Sequence, residues 1–444
     1  MKGLVVGKVE TDPLIHYGGI FNTIESMLLL SLISFFVLFP FLKDGRFRNL
    51  LFYLSSILPI LNMFYRNNNQ FVGGVFLGHL FFLIGVVLIS YLTYSGFERV
   101  RINESLLTNK RFMLFVIIVI FIVRGVFLFG SRPTDSGIYS GVGGILYLHG
   151  ESPFRDYWGV VSIGARYGPM LYFAYVPFVP IAYLTRHLLW GEALTPWNSI
   201  SNVPISVATS YTGALFYEAL IIFILIKSFP KYGYFAAMFY MTASINSLIL
   251  SVNANELPQT SLFLLALYLL KKPIISSLLF VASSLMKIYP IVLAIPMGLS
   301  FDSTKKWRFY ISLIVFFGIG WIYWLYEASL APPELRTNPI RDIIFYQKDP
   351  GAAHSLWYFL ELIFNPITSH VVMVITMLFI VLLSYKLVIK KGINIQSALG
   401  LSINALSTLI VVNRSPHPGY YYFVFTLVTY LFFYSQEFED NRQT

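Results

Sequence analysis

Between Ser131 and Pro169 the chain reads SRPTDSGIYSGVGGILYLHGESPFRDYWGVVSIGARYGP, a polar, charged stretch set between two oily ones. An acid in such a place suits proton transfer. Asp135 lies just beyond the expected outer end of a spanning helix, where a carboxylate can take a proton from an acceptor hydroxyl while staying close to a substrate held in the bilayer. Tyr139 follows one helical turn later. Asp135 can equally cap the amphipathic helix expected over Ser136–His149, and both readings stand. Asp156 is either a second acid or the partner of Arg155 or Arg166.

Lys287 is the sharper oddity, because it interrupts the apolar run from FVASSLM to IYPIVLAIP. A lysine at the bilayer centre costs about 2.5–3.5 kcal/mol. The run is therefore expected to be two half-crossings that meet at an outer turn around Lys287 and Pro290. An ammonium there is placed to hold a lipid phosphate, with simple snorkelling as the alternative. Glu256 (in NANELPQT), Arg414 and His417 (in NRSPHPGYYYF) and His354 (in GAAHSLWYF) fall in other outer turns or loops. Each alone reads as a loop residue. Together they gather acids, bases and cations on one face, and an external site is expected there. His149, His187, His354 and His417 are scattered, without metal-ligand spacing, and no HExxH or GxxxxGK[ST] motif occurs. No metal, cofactor or ATP-driven step is expected.

The elements that must carry these residues are transmembrane helices. Of the 444 residues 57% are hydrophobic, 18% aromatic and only 12% charged, against roughly a quarter charged in soluble domains. The net charge of +10 sits mostly in short loops, with no basic helix face, so it reads as a topology signal and not as nucleic-acid binding. There is no cysteine, which removes disulfides and thiolate metal sites. The N-terminal sequence lacks the pattern of a cleaved signal, so the first span is expected to stay.

Spans of roughly 20 apolar residues are expected near Asn22–Leu42, Leu50–Tyr65, Phe71–Tyr94, Met113–Gly130, Val207–Lys227, Tyr234–Val252, Leu257–Leu270, Pro273–Met286, Ile288–Ser300, Phe309–Glu327, Ser369–Leu387, Gln396–Val412 and Tyr420–Tyr434. Arg124 lies near the outer end of its span, free to snorkel or to face the site. Tyr167–Leu184 carries Pro169, Pro177 and Pro180, which suit an interfacial helix better than a straight crossing. With that segment outside the membrane, KDGRFR, FERVRINESLLTNKRF, KSFPK, STKKWR and YKLVIKKG all fall on the cytoplasmic side. The expected fold is thus an all-α polytopic membrane protein of about thirteen segments, in the cell membrane, with its C-terminus cytoplasmic. Large external loops at 131–206 and 328–368 carry interfacial helices.

The order of these motifs resembles the GT-C class of glycosyltransferases, and within it the polyprenol-phosphate-mannose-dependent α-mannosyltransferases. The resemblance rests on Asp135 followed by Tyr139, on Gly150–Asp156 (GESPFRD), on Tyr167–Gly168–Pro169, on Lys287–Ile288–Tyr289–Pro290 and on the late His417–Pro418–Gly419–Tyr420 segment. It covers residues 125 to 444. Two departures stand out: three spans in 1–112 precede a core at 113–444, and Gly168–Pro169 replaces a pair of prolines. The resemblance implies a polyprenyl-phosphate sugar donor, with mannose as the expected sugar, and a glycan, glycolipid or protein acceptor. It implies inversion at the anomeric carbon, Asp135 as base, and Lys287, Tyr289, Tyr139, Arg155, Asp156, Glu256, His354, Arg414 and His417 around the substrates. A secondary transporter or lipid flippase is the competing reading, with Arg124 and Glu218 as its mid-span charges.

Overall fold

The computed structural model of the chain describes residues 72–95, 109–130, 135–154, 167–190, 203–251, 255–330, 394–412 and 418–443, with parts of 51–61 and isolated positions 375 and 382. The expected spans at Asn22–Leu42 and Ser369–Leu387 and the loop at 328–368 fall almost wholly outside these residues. Among the described residues every regular element is helical. In chain order they are α1 (Val72–Ser95), α2 (Lys110–Gly130), α3 (Asp135–Leu148), α4 (Pro169–Phe173), α5 (Phe178–Trp190), α6 (Val203–Ser228) and α7 (Gly233–Thr242). There follow α8 (Ser244–Ser251), α9 (Glu256–Tyr268), α10 (Pro273–Ser284), α11 (Ile291–Leu299), α12 (Ser303–Ser329), α13 (Ile395–Val412) and α14 (Pro418–Gln443).

Three of the described helices are long and apolar enough to cross a membrane: Lys110–Phe129, Ile205–Ser228 and Ser303–Ser329. All three turn large apolar side chains outward. Phe115, Ile122, Val126 and Phe129 stand exposed on α2, Phe216 and Phe223 on α6, and Ile314, Ile319 and Ile322 on α12. Arg124, Glu218, Asn246, Gln259 and Thr260 are buried instead. A bundle with apolar flanks and an internal layer of polar side chains is the arrangement hydrocarbon demands, where helices are held by packing and interhelical hydrogen bonds.

Proline and small residues shape the shorter pieces. Pro169 and Pro273 open α4 and α10, where a missing N–H costs nothing. The 167–190 segment is two helices parted by a turn at residues 174–177, so its prolines do prevent one straight helix. The apolar run around Lys287 likewise divides into α10 and α11 with the lysine in the turn between them. α3 packs on α6, and Ser210 Oγ donates to the Gly137 carbonyl at 2.7 Å.

α14 defines two ends of the bundle. Near its C-terminus Glu437 accepts the Lys231 backbone N–H at 3.2 Å, and Ser435 Oγ accepts from Gln396 at 2.9 Å. Near its N-terminus Gly419 and Tyr420 meet Glu256 and Tyr289. At 1.5 Å per residue the two ends lie roughly 27 Å apart, close to the thickness of a hydrocarbon core.

The span expected at Tyr234–Val252 is interrupted. Ala243 is extended (φ −63°, ψ 131°), separating α7 from α8, and the break frees carbonyls that a continuous helix would have used. Arg124 meets this need from α2. Its guanidinium donates to the carbonyls of Met241 and Asn246 (the latter at 3.1 Å) and to Ser247 Oγ at 2.9 Å. Asn246 Nδ2 returns a bond to the Tyr240 carbonyl at 2.8 Å. Glu218 of α6 balances the charge at 2.6 Å from Arg124 and accepts from the Tyr240 hydroxyl at 2.8 Å. Tyr240 also shares a hydrogen bond with Tyr422 of α14 at 2.7 Å. Arg124 therefore does not snorkel; it points inward and is 2% exposed.

Removing one member of a buried ion pair strands the other. Glu218→Gln and Arg124→Met are each expected to destabilise the fold by about 3–5 kcal/mol. The double variant Arg124→Met/Glu218→Gln should lose less than the sum of the two. Thermal unfolding in detergent measures this; strictly additive losses contradict the coupling.

Candidate functional site

The site is built around the Lys287 ammonium. Lys287 sits in the α10–α11 turn, 8% exposed, and is paired with Glu256 Oε1 at the start of α9. Gln259, one turn after Glu256, locks the turn from the same helix face. Its Nε2 donates to the Lys287 carbonyl at 3.2 Å, and its Oε1 accepts from the Tyr289 hydroxyl at 2.7 Å. Ser283 Oγ donates to the Gln259 carbonyl at 3.0 Å. The lysine's carbonyl, its ammonium and the tyrosine two residues on are thus all set by one helix.

Aromatic rings enclose the ammonium. Its nitrogen lies 5.2 Å from the centre of the Tyr167 ring and 5.7 Å from that of Tyr420, both within cation–π range. The Tyr289 and Tyr420 rings are 4.8 Å apart. Two glycines make the approach possible. The Gly168 N–H donates to the Met286 carbonyl at 3.0 Å, and a Cβ on Gly168 would overlap the Leu285 carbonyl. A Cβ on Gly419 would overlap the Glu256 carboxylate. The YGP, KIYP and PGY segments, far apart in sequence, thus converge on one buried pair.

Tyr172 and Tyr175 extend the site toward α3. Burial pushes both phenols up, so both stay protonated at neutral pH. Tyr167 and then Tyr139 add to the effect at Tyr172, while Tyr217 and then Glu256 add to it at Tyr175. Gly143, one turn after Tyr139 on α3, lies against the Tyr172 ring, where a Cβ would overlap it. Asp135 is the first residue of α3, one turn before Tyr139. Unsatisfied atoms gather here too: Glu256 Oε2, the Tyr175 hydroxyl and both amide atoms of Asn255 have no hydrogen-bond partner among the described residues.

Of the expected site residues, the structure brings Lys287, Tyr289 and Glu256 together and places Tyr139 on α3, which packs against Tyr172. Arg155, Asp156, His354, Arg414 and His417 lie outside the described residues. The ammonium that was expected to face a lipid phosphate is already held by a carboxylate, so an anion arriving here would share it with Glu256. Gln259 was missed, although its i+3 spacing from Glu256 puts both on one helix face. Tyr167 and Tyr420 were visible only as parts of motifs. Among the described residues no three His, Asp or Glu side chains gather as a metal ion would require. No family model, curated protein or solved structure matches the chain.

The pair and its glycines can be tested by stability alone. Lys287→Met leaves Glu256 buried without its counter-charge and should lower the melting midpoint, and adding Glu256→Gln should recover most of that loss. Gly419→Ala should cost about 1–3 kcal/mol by overpacking. Gly318→Ala in α12, where a Cβ meets nothing, should be neutral or mildly stabilising. Equal effects at Gly419 and Gly318 would contradict the close approach to Glu256.

Proposed function

We propose that the chain is a multi-pass membrane glycosyltransferase. It moves a sugar, mannose in this reading, from a polyprenyl-phosphate donor to an acceptor hydroxyl on the external membrane face. The observation that carries the reading is the convergence of Tyr167–Gly168–Pro169, Lys287–Ile288–Tyr289–Pro290 and Gly419–Tyr420 on one buried lysine. These are the segments on which the GT-C resemblance rests. In this reading the loop-charge pattern, with Tyr167–Leu184 kept out of the membrane, puts all of them and Glu256 on the external side. The contacts at the other end of α14 involve Lys231 of KSFPK and Gln396, just after YKLVIKKG, the loops expected in the cytoplasm.

In this reading the donor enters from the bilayer and its phosphate shares the Lys287 ammonium with Glu256, while the tyrosines enclose the sugar. Asp135 takes the proton of the acceptor hydroxyl. The acceptor oxygen bonds to the anomeric carbon from the face opposite the phosphate. The bond from carbon to phosphate oxygen breaks, and polyprenyl phosphate leaves with the electron pair. Because the phosphate is a good leaving group, positioning and charge stabilisation supply most of the acceleration. The transporter reading has Arg124 and Glu218 as its mid-span charges. Their mutual pairing across the α7–α8 break gives them a structural role instead.

The test uses purified chain in nanodiscs with radiolabelled polyprenyl-phosphate mannose and lipid or glycan acceptors. Wild type should transfer label. Asp135→Asn should bind donor normally and lose transfer by about 10²–10⁴-fold, the usual contribution of a general base. Failure of the wild type to bind any polyprenyl-phosphate sugar would overturn the assignment, and undiminished transfer by Asp135→Asn would remove the base.

A further inference from the structure

The far end of α12 holds a third buried carboxylate, after Glu218 and Glu256. Glu327 is 6% exposed. Its Oε1 accepts from the Tyr323 hydroxyl at 2.8 Å, whereas Oε2 has no partner among the described residues. A buried carboxylate oxygen without a donor is costly and calls for one.

Its surroundings are aromatic and partly open. The Tyr147 ring lies flat on Phe173, with centroids 4.2 Å apart and planes 6° from parallel. Phe173 in turn contacts Tyr323, at 5.9 Å. Burial, and next the Glu327 charge, push the Tyr147 phenol up, so its hydroxyl remains a donor. Phe173 and Tyr326 are both exposed. The cluster adjoins the Lys287 site through Trp324, one turn before Glu327 and fully buried, whose ring borders the position a Gly168 Cβ would take.

We propose that Glu327, Tyr147 and Tyr323, with Phe173 as platform, form a subsite that binds the sugar ring of the acceptor; this rests on the transferase reading above. A pyranose presents neighbouring hydroxyls that can donate to a carboxylate and exchange hydrogen bonds with phenols. It also presents a face of C–H groups that packs on the electron-rich face of an aromatic ring. An interfacial aromatic belt is the simpler alternative, but a belt has no use for a buried carboxylate whose second oxygen lacks a donor among the described residues.

The experiment measures α-linked mannobiose binding by tryptophan fluorescence, with the full chain in nanodiscs. Sugar-free polyprenyl phosphate is titrated separately. Wild type should bind both. Glu327→Gln and Tyr147→Phe should each weaken mannobiose binding by about tenfold or more and leave polyprenyl-phosphate binding unchanged. Tyr147→Phe keeps the stacked ring, so it decides the matter should Glu327→Gln fail to fold. Mannobiose binding that is absent in wild type, or equal in wild type and Tyr147→Phe, overturns the subsite even where polyprenyl phosphate binds. Mannobiose binding that depends on both residues, without any polyprenyl-phosphate binding, sustains the subsite and removes the donor assignment instead.

Discussion

The buried pair of Arg124 and Glu218 is the interaction on which the rest of the described bundle depends. A helix broken inside a bilayer must satisfy its freed carbonyls from within the protein, because hydrocarbon offers no donors. Arg124 is the only side chain type that can reach several carbonyls and a carboxylate at once through one planar group. By doing so it ties α2 to α6, α7 and α8, and through Tyr240 it reaches Tyr422 of α14. Tyr420, two residues earlier on α14, faces Tyr289 and Lys287. The floor of the site is thus set by an electrostatic clamp lying one layer beneath it.

Above that floor, a second pair does different work. Glu256 and Lys287 bring the ends of α9 and α10 together, and Gln259 fixes the backbone that presents the lysine. Buried ion pairs contribute little net stability, since desolvation offsets most of the attraction. They do fix which partners meet. Here the ion pair acts together with directional hydrogen bonds between the same segments, from Ser283 to the Gln259 carbonyl and from Ser276 to the Ala266 carbonyl. Neutral tyrosines supply the remaining polar surface without adding charge to a low-dielectric place.

Much of this was legible in the sequence where the signal is local. The division of the run around Lys287 follows from one lysine and Pro290, and the helix over α3 was expected within a residue of its ends. The prolines of 167–184 announced a broken segment. The break at Ala243 left no such mark: TASIN holds neither glycine nor proline, and the interruption depends on an arginine from a different helix. Glu327 read as the final residue of a span, because nothing nearby in sequence hints that Tyr147 and Phe173 stack beside it. The convergence of the site could be suggested only by motif order. Loop charge sorts residues onto a face; it does not say which of them touch.

The Glu256–Lys287 pair also bears on how such a chain enters a bilayer. Glu256 precedes Lys287 in synthesis, and α9 and α10 pack as an antiparallel hairpin, joined where Ser276 Oγ donates to the Ala266 carbonyl at 2.9 Å. If the hairpin enters as a unit, both charges, which lie at its open end opposite the turn at residues 269–272, travel together as a neutral pair. The penalty for a lone lysine crossing hydrocarbon, about 2.5–3.5 kcal/mol, is then largely avoided during biogenesis. The contact that shapes the mature site is at the same time a passport for the segment that carries it.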